Sequence, residues 1–190
     1  MKRLLLLLAA LIGILPYLQS QVVYSDPAFP TSADEVTVFF NASEGNAGLE
    51  DCGCDVYLHS GVITSESNSS SDWKYVFTTW GQANPEWRME PVPGEPNLYS
   101  YTFSPSVREF YGVPQAEEIE QISFVFRNAD GSQAGRAADG GDIFLDLSDG
   151  NAGFTAILQS PTNNALVVES GEIIPIRVVA SEDATFTVTD

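Results

Sequence analysis

The chain has 190 residues, with 26 acidic against 8 basic side chains and a formal net charge of −18. That balance excludes the basic footprint of a nucleic-acid-binding surface and any attraction to anionic membranes, and it suits an exported protein with a neutral ligand. A single histidine, His59, and no Gly-x-Ser-x-Gly word leave no marked nucleophilic triad, and no pair of carboxylates stands out as catalytic among so many.

In chain order, Lys2 and Arg3 precede the apolar run 4–14, and Ser20 is a small residue suited to cleavage. This is the pattern of a secretory signal over residues 1–20, with Gln21 first in the mature chain. The other reading, a membrane anchor, meets a run short for a bilayer-spanning helix. The expected location is extracellular or at the cell surface, with no membrane contact after cleavage.

From Gln21 onward the chain reads as all-β. Apolar or alternating runs at 35–40, 54–60, 73–80, 98–103, 121–127 and 142–147 predict strands, separated by turn-forming words at 46–48, 67–71, 91–96 and 130–131. Such spacing predicts an antiparallel, immunoglobulin-like β-sandwich over residues 21–150. Ser106 and Glu109 form a capping box for one helical turn before Phe110. A boundary falls near 149–153. Runs at 154–158, 166–168, 173–179 and 184–188 then predict the start of a second immunoglobulin-like domain over 151–190. That stretch is well short of the roughly 100 residues such a sandwich needs, so the chain is expected to be a fragment of a longer protein or the product of a truncated gene. The words Ser43-Glu44-Gly45-Asn46-Ala47-Gly48 and Ser148-Asp149-Gly150-Asn151-Ala152-Gly153 are nearly identical and predict two similar loops.

Cys52 and Cys54 flank one glycine. Export makes a local disulfide possible, stiffening the approach to the strand at Val56; a metal or redox pair is the alternative. In the strand that follows, Val56 and Leu58 fall on one face and Tyr57 and His59 on the other. Trp73 opens the next apolar run and can stand beside them. An aromatic ring, an imidazole and an indole on one sheet face form a platform for a flat, hydroxylated ligand such as a sugar, which has an apolar C–H face and a polar rim. Trp73 and Trp80 would lie on opposite faces of a regular strand, so only one joins the platform. Trp87 sits in a polar loop from which it can reach the site. Asn128 and Asp130, with Gln133, can supply hydrogen bonds to hydroxyls. The competing reading makes the tryptophans core and His59 a satisfied structural histidine. Asp130, Asp139 and Asp142 lie in one glycine-rich stretch whose oxygens suit calcium, although the spacing is not that of an EF-hand; a solvated acidic loop is the alternative.

The word Tyr57-Leu58-His59-Ser60-Gly61 followed by Trp73 resembles the starch-binding modules of carbohydrate-binding families twenty-five and twenty-six. From about Val23 onward the chain resembles the N-terminal region of secreted bacterial α-amylases of glycoside hydrolase family thirteen. Asp55 to Val62, the Trp73 and Trp80 pair, Phe110 to Pro114, Phe124 to Ser132 and Asp142 to Leu145 carry this likeness in order. The resemblance implies a non-catalytic module that binds an α-glucan, starch or glycogen, ahead of a catalytic domain of the same parent protein. It implies Trp73 as the stacking residue beside Tyr57 and His59. The families' further tryptophan after the Phe-x-Phe strand is missing here, where Asn128-Ala129-Asp130 stands. Trp80 or Trp87 would have to replace it. A structural spacer or adhesin module without a ligand is the alternative function.

Overall fold

The computed structural model describes residues 21–148, 156–160, 177–181 and 185. Ten strands form: β1 Val23–Asp26, β2 Val36–Asn41, β3 Tyr57–Thr64, β4 Glu90–Pro91, β5 Leu98–Phe103, β6 Ile119–Arg127, β7 Ala134–Gly135, β8 Ile143–Asp146, β9 Ala156–Ser160 and β10 Arg177–Ala180. One sheet runs β1-β2-β5-β4; in the other β6 pairs with β3 on one side and with β7 and β8 on the other. All these pairings are antiparallel. The fold is the all-β sandwich expected from the alternating runs.

The core follows from period-two alternation. Val36, Val38 and Phe40 on β2 are fully buried, while Thr37 and Phe39 between them are half-buried. From the facing sheet, Leu58 and Val62 on β3 and Ile122, Phe124 and Phe126 on β6 complete the layer. Phe40 stacks on Phe126 with ring centroids 3.9 Å apart, which ties the two sheets together. Ser60 enters this layer without cost from an unmet hydroxyl, because its Oγ donates to Ser123 O at 2.7 Å and pairs with the Tyr111 hydroxyl at 2.6 Å. The predicted helical turn is α1, Val107–Tyr111. Ser106 Oγ accepts from Glu109 N, and Gly112 ends the helix in the left-handed region at φ 71°.

Three elements were not legible as strands, namely β1, β4 and β7. One expected strand is absent. Residues 73–80 form no ladder; only Lys74 pairs, its N–H donating to Val62 O at 2.8 Å and its carbonyl accepting from Val62 N at 3.0 Å. Tyr75 then turns the chain away at φ 51°. The segment crosses the outer face of β3 at Gly61, where a Cβ would lie 2.8 Å from both Lys74 O and Val76 Cγ2. As a result β3 is covered on both faces, and a face predicted to be open carries a second layer.

β9 and β10 pair antiparallel. The signal at 1–20, the boundary at 149–153, the second glycine-rich loop, the run 166–168 and most of 184–188 lie outside the described residues. Among the described residues no helix is long and apolar enough to cross a membrane.

Candidate functional site

The outer face of the β3–β6 pair holds an open cleft of about 370 Å³. Its floor is His59 on β3 and Val125 on β6, which are register partners. One wall comes from the crossing segment: Ser71, Asp72, Trp73, Val76 and Trp80. Arg136 and Asp142, from the chain after β7, form the opposite rim.

His59 is the hub. Its ring lies 5.8 Å from that of Trp73, tilted by 33°, and 5.3 Å from that of Trp80, edge-on at 87°. Its Nδ1 shares a 2.7 Å hydrogen bond with Thr78 Oγ1, which also accepts from Ser60 N. Nε2 has no partner among the described residues and is free to donate or accept according to the tautomer. Burial lowers the imidazole pKa below its ordinary value, and the nearby cations Arg127 and Arg136 lower it further, against an opposing pull from Asp142. The neutral ring therefore prevails at neutral pH. Trp73 is half-buried, with Nε1 buried and unpartnered among the described residues, whereas Trp80 is 42% exposed.

Arg127 builds the back of this platform. It is fully buried, yet no carboxylate among the described residues meets it. Its guanidinium instead donates to four carbonyls: Asn128 O at 3.0 Å, Ala129 O at 3.1 Å, Thr79 O at 3.2 Å and Gln82 O at 2.6 Å. Thr79 and Gln82 bracket Trp80, so one cation sets the turn that presents the indole. Its Cζ also lies 5.9 Å from the Trp80 ring and 5.5 Å from the Tyr57 ring, within cation–π reach of both. Gly131 completes the seat: it adopts φ 74°, and a Cβ there would lie 2.5 Å from Trp80 Nε1.

The rim is charged but internally neutralised. Arg136 pairs with Asp142 at 3.0 Å, and Lys74 with Asp72 at 3.0 Å. Hydrogen bonds from Asn68, reinforced by Lys74, hold the Asp72 carboxyl down to about 2, so it is ionised. The loop word at 43–48 sets the position of Arg136. Asn46 Oδ1 accepts from Arg136 N at 2.9 Å, Asn46 N donates to Arg136 O at 3.0 Å, and Asn46 Nδ2 donates to Ala134 O at 3.0 Å.

The structure brings His59, Trp73 and Trp80 together in the cleft, which the other expected sugar-site residues do not line. Tyr57 is only 6% exposed, with the Arg127 guanidinium over its ring, so the ring is no open platform. Trp87 is 9% exposed in the 3-10 turn Pro85–Trp87 and packs inward instead of reaching the cleft. Asn128 and Asp130 are occupied within their own turn: Asn128 donates to Ser132 Oγ and accepts from Gln133 N, while Asp130 Oδ1 accepts from Ser132 N and Oγ. Asp139 Oδ1 accepts from Gly141 N and Asp142 is held by Arg136. Among the described residues no cluster of three or more His, Cys, Asp or Glu side chains is placed to hold a metal. Cys52 and Cys54 are joined by a disulfide in the turn ahead of β3.

Sequence reasoning missed Arg127, Asp72, Thr78 and Arg136. Arg127 left one signal, a lone cation closing the apolar run 124–126. The other three left none.

Two indoles around an imidazole, with carboxylates, a guanidinium and a serine at the edge, match a ring that is apolar on its faces and hydroxylated on its rim. No protein-family model matches the chain, and no curated protein matches it at significant similarity.

Proposed function

We propose that this protein is a non-catalytic carbohydrate-binding module that takes an α-glucan such as starch or glycogen at the His59–Trp73–Trp80 cleft. The observation that carries the reading is the convergence of Trp73 and Trp80 on His59 in one open cleft with a hydrogen-bonding rim. The resemblance to starch-binding modules supports the choice of α-glucan. On the same reading the protein is secreted, and it concentrates polymeric substrate at a tethered α-amylase-type catalytic domain by raising effective concentration.

The expected affinity is modest. Each aromatic–sugar contact contributes roughly 1 kcal/mol, taking aromatic pairs as a guide, and each hydrogen bond to a hydrated hydroxyl about 0.5–1.5 kcal/mol. A few such contacts on an open face correspond to micromolar to millimolar binding, about 4–8 kcal/mol in all.

Retardation in starch-containing gels, paired with denaturant unfolding, tests this. Trp80→Ala should abolish retardation while changing stability by no more than about 1 kcal/mol, as befits a half-exposed side chain. A wild-type protein that no α-glucan retards would refute the reading and favour the spacer alternative, to which the buried Tyr57 and Trp87 already conform.

A further inference from the structure

We infer that the glucan-binding face continues beyond the cleft, along the outer side of β3, to a second stacking position at Tyr75, so that the site is built for a chain of several sugar units. This inference rests on the function proposed above and adds a subsite to it.

Among the described residues the exposed large hydrophobic side chains are Tyr75, Val76 and Trp80, all on the segment that crosses β3. Elsewhere in the sandwich large apolar groups are covered, so the concentration of all three here marks a contact surface. Val76 lines the cleft and is the covalent neighbour of Tyr75, which makes the apolar strip continuous with the site.

Tyr75 is held outward by specific contacts. Its backbone adopts φ 51°, a left-handed conformation uncommon outside glycine and asparagine. A fold needing only the turn would be served better by either of those residues. The cost of a tyrosine there points to a use for its ring. The ring is also fixed in place: its hydroxyl donates to Glu117 Oε2, while Glu117 Oε1 accepts from Thr64 Oγ1 on β3. This ties the ring to the end of the strand that carries His59.

The spacing sets the ligand class. Lys74 pairs with Val62 on β3, three residues from His59, so at about 3.3 Å per residue Tyr75 leaves the strand roughly 10 Å from the imidazole, and its ring reaches on toward Glu117. That exceeds the width of one pyranose ring. A disaccharide seated between Trp80 and His59 does not reach Tyr75, and a longer linear chain does. The strip carries no unpaired cation, since Lys74 is paired with Asp72, which fits a neutral glucan.

The test is NMR titration of the purified protein with α-1,4-linked glucose dimer and heptamer, for the wild type and for Tyr75→Asn and Tyr75→Phe. Asparagine suits the left-handed backbone, so Tyr75→Asn should unfold no earlier than wild type. It should bind the dimer unchanged and the heptamer about fivefold more weakly, the loss expected for one aromatic contact. Tyr75→Phe keeps the ring and should retain most of the heptamer affinity. Multiple binding registers strengthen heptamer binding in all three proteins alike, so the comparison between variants decides. An unchanged heptamer affinity in Tyr75→Asn, or an equal loss for both ligands, would overturn the second position while leaving the cleft standing. Absence of α-glucan binding in the wild type would instead remove the functional reading, and this inference with it.

Discussion

Replacing Arg127 by methionine probes the link between fold and site most directly. The substitution keeps an unbranched side chain of similar length and removes the guanidinium. Four hydrogen bonds to main-chain carbonyls are lost, two holding the 79–82 turn and two holding 128–129. Charge-assisted bonds of this kind are worth roughly 1.5–3 kcal/mol each, so their sum lies near 6–12 kcal/mol. Against this, the variant no longer buries a cation without an anionic partner, a penalty of several kcal/mol. The net expectation is a loss of about 3–5 kcal/mol, read by urea unfolding, or a fall in Tm of about 10 °C or more. Trp80 loses both its bracketing contacts and the cation behind its ring, so glucan binding should fall with stability and the indole N–H resonance should shift. Arg127→Lys should lie between the two, because one ammonium group cannot span both turns. A methionine variant that unfolds within about 1 kcal/mol of wild type and still binds starch would refute the claim that Arg127 organises the platform.

Gly131→Ala is expected to weaken glucan binding although Gly131 does not itself line the cleft, because its Cβ would displace the Trp80 indole, whose Nε1 lies 2.5 Å from that position. Tryptophan fluorescence should report the displacement, and an unchanged spectrum with unchanged binding would count against it. His59 should make stability depend on pH. Its folded-state pKa is depressed below the ordinary 6.5, so the unfolded chain binds the proton more readily. The stabilising contribution of the neutral ring is then complete above pH 6.5 and is lost as pH falls through that value toward the folded pKa. His59→Gln should remove this slope just below pH 6.5, above the ordinary carboxylate values. A variant curve parallel to wild type would assign the slope to other groups.

What the sequence determined by itself was local. Alternation at 35–40, 98–103 and 121–127 sufficed to predict β2, β5 and β6, because a period of two on a half-buried strand is a property of neighbouring residues. The cap from Ser106 to Glu109 was legible for the same reason. Alternation also placed Tyr57 and His59 on the face of β3 opposite Leu58.

Only the tertiary structure decided which of those side chains is open. The run 73–80 has the composition of a strand, but Gly61 leaves room for it to cross β3, and Tyr75 turns it away after a single bridge at Lys74. That crossing brings both Trp73 and Trp80 against His59, where strand parity allowed only one, while the Arg127 guanidinium lies over Tyr57. Arg127 was unreadable as the organiser because its acceptors are carbonyls, which every residue has, from segments up to 48 positions away. The rim was hidden likewise: Arg136 meets Asp142 because Asn46, 90 positions earlier, holds its backbone. Exposure and convergence depend on which distant segment covers a strand, and residue spacing along one strand carries no record of that.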